Sequence, residues 1–180
     1  MIKRLIDEYA PLLETPEGIC APAILWAIYE CERYPKHQRF PRFERAYAPG
    51  GYYYETSPLV RKLYKKWGAW TACSYSDFQI LFVTAVELGY EGPPLPLDCN
   101  SVAIPYVVKY VNHRIFERGA TTPEEVADAY NSGNHTDPNV PHKYIRKFRR
   151  SYDFWSKKLC ADSTKGQDES TSGSSPQVKA

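Results

Sequence analysis

Two carboxylates, Glu30 and Glu32, stand at the end of the apolar run Ala23-Ile24-Leu25-Trp26-Ala27-Ile28-Tyr29. The run is apolar on every side, so as a helix it can expose no face and has to lie inside the fold. An ionised carboxylate is costly to desolvate, and one held at the end of such a helix has its pKa raised. A carboxyl that stays protonated near neutral pH is what a general acid needs. The plain alternative is a glutamate that reaches solvent at a helix end and does no chemistry. Two residues apart on a helix, Glu30 and Glu32 point to different faces and cannot line one groove in the same way. A third carboxylate, Glu44, lies among basic and aromatic residues in Arg42-Phe43-Glu44-Arg45-Ala46-Tyr47. Its plain alternative is a surface ion pair of little energetic weight. Gln79 falls among apolar neighbours, where an amide must find partners in the protein's own backbone or in a ligand.

These residues need elements to position them. Residues 1–14 read as a short amphipathic helix with Leu5, Ile6, Tyr9, Leu12 and Leu13 on one side. Thr15-Pro16-Glu17 and Pro22 are start signals for the buried helix, which runs to about Arg33 and is stopped by Tyr34-Pro35. Residues 35–56 are rich in Pro, Gly, Tyr and Arg without a steady period, which predicts a long ordered loop. A short strand pair near Tyr52-Tyr53-Tyr54 is one way to order it. Ser57-Pro58 caps a helix to Trp67 that Gly68 ends. Ser76 or Asp77 is expected to cap a further helix, with Gln79 in its first turn, Phe78, Leu81, Phe82, Ala85 and Leu88 inward and Gly89 as its stop. Residues 100–116 predict another helix with Pro105 near its start. Thr122-Pro123-Glu124-Glu125 has the form of a capping box, opening a short helix that closes at Ala129-Tyr130-Asn131-Ser132-Gly133. A polar loop follows at residues 134–140. Ile145, Phe148, Tyr152, Trp155 and Leu159 recur at heptad-like spacing and predict a last helix with one apolar stripe. Its other face carries Lys143, Arg146, Lys147, Arg149, Arg150, Lys157 and Lys158, a solvated face or one that attracts an anionic envelope polymer. From about Asp162 onward nothing apolar remains to bury, so residues 161–180 are expected to be a disordered tail on a single domain of residues 1–160.

With 43% apolar residues in 180, the chain is long enough for one domain with a real core. Fifteen Tyr, seven Phe and four Trp supply flat apolar faces with polar edges, which suit a ligand groove as well as a core. A net charge of +2 gives no case for a nucleic-acid partner. The five cysteines include no C-x-x-C pair and read as reduced, mostly buried thiols of a protein made in the cytosol. His37, His113, His135 and His142 lack zinc-site spacing, so no metal is expected. The charged first eight residues do not read as a signal peptide, and no apolar run reaches the length of a membrane span.

Three separated pieces line up: a carboxylate ending a buried helix, a Gln opening a second helix, and Ala-Tyr-Asn closing a third. In that order they resemble the lysozyme-like lytic transglycosylases, the superfamily of soluble lytic transglycosylases and goose-type lysozymes. Ala27-Ile28-Tyr29-Glu30-Cys31-Glu32-Arg33 resembles the family's Ala-Ile-x-x-x-Glu-Ser helix end and puts Glu32 at the acid position. Ser76-Asp77-Phe78-Gln79 stands where the family has Gly-Leu-Met-Gln, and Ala129-Tyr130-Asn131 matches in full. Arg33 replaces the Ser after the acid, and the insertion between Glu32 and Ser76 is longer than in common members, with Arg42-Phe43-Glu44 similar to a segment of some phage and bacterial relatives. The resemblance covers roughly residues 20–155.

The resemblance implies a mainly α, lysozyme-like helical domain that acts on peptidoglycan glycan strands without a cofactor or metal. It implies Glu32 as the catalytic acid, with Gln79, Tyr130 and Asn131 holding the sugar or orienting the acid. Ser74 and Tyr75 would form groove wall, and Glu44 would lie beside the substrate. The bond cut would be the β-1,4 link between N-acetylmuramic acid and N-acetylglucosamine. A hydrolytic muramidase using Glu44 or Asp77 as a second carboxylate stays open, as does Glu30 as the acid. A non-catalytic wall-binding or assembly module is the reading from a different class. The expected protein is a monomer, without stable membrane insertion or nucleic-acid binding, that a partner releases to the wall, as a phage lysis or virion protein would be.

Overall fold

A computed structural model gives the structure of the chain and describes residues 1–33, 41–133 and 142–160. Among these residues the architecture is mainly α, with eight α-helices and one small antiparallel sheet of three strands. The polar loop expected at 134–140, the start of the aromatic loop and the expected tail lie outside the described residues.

Helix α1 (Ile2–Tyr9) passes through a 3-10 turn at Ala10–Leu12 and leads to α2 (Ala21–Glu32). Six consecutive residues of α2, Ala23 to Ile28, are buried, as a helix apolar on all sides requires. Truncating one of them, Leu25→Ala for instance, removes side-chain atoms with 0% exposure and costs about 2–5 kcal/mol. Pro22 lies in the first turn of α2, where its missing N–H costs no hydrogen bond. The carboxyl-terminal end of α2 is gripped by the last helix, α8 (His142–Cys160), along which Phe148 and Tyr152 are buried. Trp26 of α2 stacks on Trp155 of α8 with centroids 4.1 Å apart and planes within 9°.

Between α2 and α8 the chain builds the sheet and the middle helices. Strand β1 (Arg42–Phe43) pairs with β2 (Cys73–Tyr75), and β2 pairs with β3 (Ile80–Leu81), in the order β1-β2-β3. Helix α3 (Tyr52–Thr56) is a single turn, and α4 (Pro58–Trp67) starts on Ser57, whose hydroxyl accepts from the Val60 N–H. Gly68 ends α4 at φ +59°, a conformation that only glycine adopts without strain. Helix α5 (Phe82–Glu87) follows the sheet, and α6 (Asn100–Tyr110) runs on into a π-helical segment, Val111–Phe116. Within that segment the buried Asn112 amide accepts from the Glu14 N–H and donates to the Leu12 carbonyl, tying the α1–α2 link to the core. Helix α7 (Pro123–Ser132) begins with the full capping box of Thr122 and Glu125 and ends on left-handed Gly133.

Four local expectations change. Tyr52 to Tyr54 are helical, and the strand of this region is Arg42–Phe43; Gly51 frees the N-terminal side of that turn and Pro58 restricts Ser57 after it, which outweighs the strand preference of three tyrosines. Ser76 to Gln79 form the turn of a β-hairpin, and the helix begins only at Phe82. Ser76 and Gln79 both have positive φ, which no helix admits. Pro105 is the sixth residue of α6 and lies inside the helix. Of the cysteines, Cys31, Cys73 and Cys99 are free thiols, whereas Cys20 is disulfide-bonded.

Candidate active site

Glu32 is the last residue of α2, and its side chain is only 8% exposed. The Tyr144 hydroxyl, from the first turn of α8, donates to Glu32 Oε1 at 2.5 Å. Arg42 Nη1 lies 3.9 Å from Glu32 Oε2. Burial pushes the Glu32 carboxyl above its ordinary value of 4.5, and the Glu44 charge adds to this. Tyr144, Arg42 and Lys147 pull the other way, yet desolvation outweighs them. Oε1 is taken by the Tyr144 donor, and Oε2 is the oxygen on the side of Arg42 and the sheet.

Glu30, two residues earlier, faces elsewhere. It accepts from Ser151 Oγ at 2.5 Å and from Trp155 Nε1 at 3.1 Å, both on α8. Its two oxygens bind α2 to α8, whereas Glu32 meets Tyr144 and Arg42.

The sheet positions the second carboxylate. Residues two apart on an extended chain share a face, so Arg42 and Glu44 point the same way. Arg42 Nε meets Glu44 Oε1 at 2.5 Å while its Nη1 reaches toward Glu32, so one guanidinium stands between two carboxylates. Arg42 is opposite Ser74 in the β1–β2 register. The buried Ser74 hydroxyl lies 3.0 Å from Gln79 Oε1 and 3.4 Å from Glu44 Oε1.

Gln79 closes the hairpin turn. Its Nε2 donates to the Ser76 carbonyl at 2.8 Å and its Oε1 accepts from Ser74, so both ends of the amide are engaged by the protein. The turn is held from outside too: the Ser76 N–H donates to Asp98, and Asp77 and Asn100 exchange hydrogen bonds through both side chains and the Asp77 N–H. That network stabilises positive φ at two residues that are not glycine and engages the Asp77 carboxylate with Asn100. Tyr130 of α7 donates to the Phe78 carbonyl at 2.8 Å, and the Phe78 ring packs against Tyr29 of α2 at 5.9 Å. Burial and the nearby Glu32 charge raise the Tyr130 hydroxyl well above its ordinary value. A small cavity of about 60 Å³, lined by Gln79, Ile80, Leu81, Thr84, Tyr110 and Tyr130, opens beside this contact.

Of the residues expected at the site, Glu32, Glu44, Ser74, Gln79 and Tyr130 therefore belong to one connected cluster. Tyr75 does not line a groove: it is 0% exposed, its hydroxyl donates to the Trp70 carbonyl at 2.6 Å, and its ring meets Phe82. Its neighbours on the strand alternate, so with Ser74 facing the cluster Tyr75 must face the core. Asn131 lies exposed in the last turn of α7. Tyr144 was not anticipated, although its place four residues before Phe148 puts it on the buried face of α8. In the sequence Arg42 is only part of Arg42-Phe43-Glu44, and the link it makes between two carboxylates depends on the sheet register. Among the described residues no group of three His, Cys, Asp or Glu could hold a metal ion, and no helix is long and apolar enough to cross a membrane. No family model, curated protein or solved structure matches the chain.

Proposed function

We propose that the chain is a peptidoglycan lytic transglycosylase with a lysozyme-like fold, cleaving the β-1,4 bond between N-acetylmuramic acid and N-acetylglucosamine. The observation that carries this reading is the carboxyl of Glu32, raised by desolvation and held by Tyr144 at the end of the central helix. Glu32 gives its Oε2 proton to the glycosidic oxygen as the bond to the muramic C1 breaks. The substrate's own N-acetyl oxygen stabilises the positive charge that develops at C1. The Glu32 carboxylate then takes the proton of the C6 hydroxyl, and the bond from O6 to C1 closes a 1,6-anhydro sugar. Tyr144 donates to the carboxylate in the interval, which stabilises its charged form. The hairpin turn, locked by Gln79 and Tyr130, supports the wall opposite the acid. Action on the wall after release by a partner, as a monomer, belongs to the same proposal.

Arg42 favours a second reading, a hydrolytic muramidase. It brings Glu44 close to the acid, where an ionised carboxylate can activate water or stabilise charge. Digesting purified peptidoglycan and weighing the soluble fragments by mass spectrometry separates the two. Fragments ending in 1,6-anhydromuramic acid support the transglycosylase, and reducing-end muramic acid supports the hydrolase. No fragments from a folded sample leave the non-catalytic wall-binding module.

A further inference from the structure

The outward stripe of α8 carries Lys143, Arg146, Lys147 and Arg150, all exposed, which together line a surface concavity of about 520 Å³. Their spacing makes four like-charged neighbours at i,i+3 or i,i+4, an arrangement that weakens a helix. Off the stripe, helix faces do the opposite. Lys3–Asp7 and Arg149–Asp153 are opposite-charge pairs at i,i+4. Among the described residues the stripe has no carboxylate in an ion pair, and Arg149, which does, points off it to Glu124 and Asp153. Four cations without an ion-pair partner among the described residues, lining one concavity, attract a ligand with several negative charges.

The stripe also has a defined relation to the acid. The Lys147 ammonium donates to the Cys31 carbonyl at 3.0 Å, one residue from Glu32, and its charge is felt at Glu32. A ligand bound along the stripe therefore passes close to the end of α2 that carries the acid. The four cations span about 10 Å of helix, at about 1.5 Å per residue, which suits the clustered carboxylates of a short peptide better than a long polymer. The two arginines offer planar forks that match carboxylates. A bilayer is a poor fit, since the apolar face of α8 is already buried with Phe148 and Tyr152 in the core.

We propose that this stripe binds the acidic peptide stems of the glycan strand, so that the chain selects peptide-bearing strands over stripped ones. The inference rests on the peptidoglycan reading above: the stem hangs from the muramic sugar, next to the bond that Glu32 would cut.

The test uses the full chain with Glu32→Gln, which leaves ligands uncut. It is titrated calorimetrically with peptide-bearing glycan fragments, with the same fragments stripped of peptide, and with polyglycerol phosphate. The peptide-bearing fragments should bind at least tenfold more tightly than the stripped ones. Arg146→Gln with Arg150→Gln should abolish that difference, as should high salt. Both arginines are exposed, and the melting temperature of the double variant checks that it is folded; Lys143→Gln, expected to give a smaller loss, provides an independent variant. Equal affinity for both glycans would overturn this inference and leave the peptidoglycan reading standing. Tighter binding of polyglycerol phosphate would overturn it in favour of a phosphodiester polymer. Failure of a folded sample to bind either glycan would overturn both.

Discussion

The Tyr144 hydroxyl and the Glu32 carboxyl meet at 2.5 Å across 112 residues of sequence. The bond favours the ionised form of Glu32 and opposes the effect of burial. Tyr144→Phe removes the donor but keeps the ring, so the Glu32 pKa should rise further. A general acid must be protonated, so activity falls as pH rises through that pKa, and the alkaline limb of the pH–rate profile should move to higher pH in the variant. At its optimum the variant should be roughly tenfold slower, the size expected for one hydrogen bond to a charged group. A carbon-detected NMR titration of the Glu32 carboxyl reads the same shift without substrate. An unmoved or lowered pKa would count against the arrangement.

Glu32 should also cost stability. Its folded pKa is raised above the unfolded value of about 4.5. Below pH 4.5 both states hold the proton and the contribution is fully present. As pH rises from there through the folded pKa, the unfolded state alone ionises first, and stability is lost. Glu32→Gln stays neutral at every pH and can still accept from Tyr144. Its melting temperature relative to the natural chain should therefore increase between pH 4 and pH 7, while activity drops by roughly 10²–10⁴-fold. Thermal unfolding at the two pH values checks the first, and fragment release checks the second.

Glu30 gives the contrasting case. Ser151 and Trp155 both donate to it, so Glu30→Ala leaves two donors of α8 without an acceptor. The loss should be about 1–3 kcal/mol, measured by denaturant unfolding. The pH–rate profile of the folded fraction should keep its shape. If the alkaline limb vanished with Glu30 rather than with Glu32, the acid would have been misassigned.

What could be read in the sequence was whatever depends on periodicity and capping. The all-apolar run fixed α2 in the interior, Ser57 and Gly68 bracketed α4, the Thr122–Glu125 box opened α7, and the heptad spacing showed α8. The hairpin was not legible. Cys73 to Tyr75 are buried on both faces, so no alternation marks the strand, and its partner is only two residues long. Ser76 and Gln79 adopt positive φ in a turn whose Ser76 and Asp77 N–H groups donate to Asp98 and Asn100 and whose Ser76 and Gln79 side chains bond its own backbone, with no glycine to announce the turn. At the candidate site, the burial of the Glu32 carboxyl was legible because desolvation follows from its neighbours in sequence. Tyr144 and Arg42 were not, since each reaches Glu32 only through the packing of α8 and the register of the sheet.

The pair of Arg42 and Glu44 decides whether one carboxylate or two do the chemistry. Arg42 is exposed and joins Glu44 at 2.5 Å while standing 3.9 Å from Glu32. Removing its charge by Arg42→Ala should raise the Glu32 pKa and move the alkaline limb upward, with a stability change below about 1 kcal/mol because the pair is open to solvent. Glu44→Gln removes a negative charge that raises Glu32, so by itself it should move the limb downward. Under the transglycosylase reading the Glu44→Gln chain still makes 1,6-anhydromuramic ends, slowed by less than about tenfold, because no step needs a second carboxylate. Under the muramidase reading it loses roughly 10²-fold or more in rate, since the base or charge stabiliser is gone. Measuring fragment release and end-group chemistry for this one variant beside the natural chain separates the two, and the opposite limb shifts of Arg42→Ala and Glu44→Gln test whether both groups act on Glu32 through space.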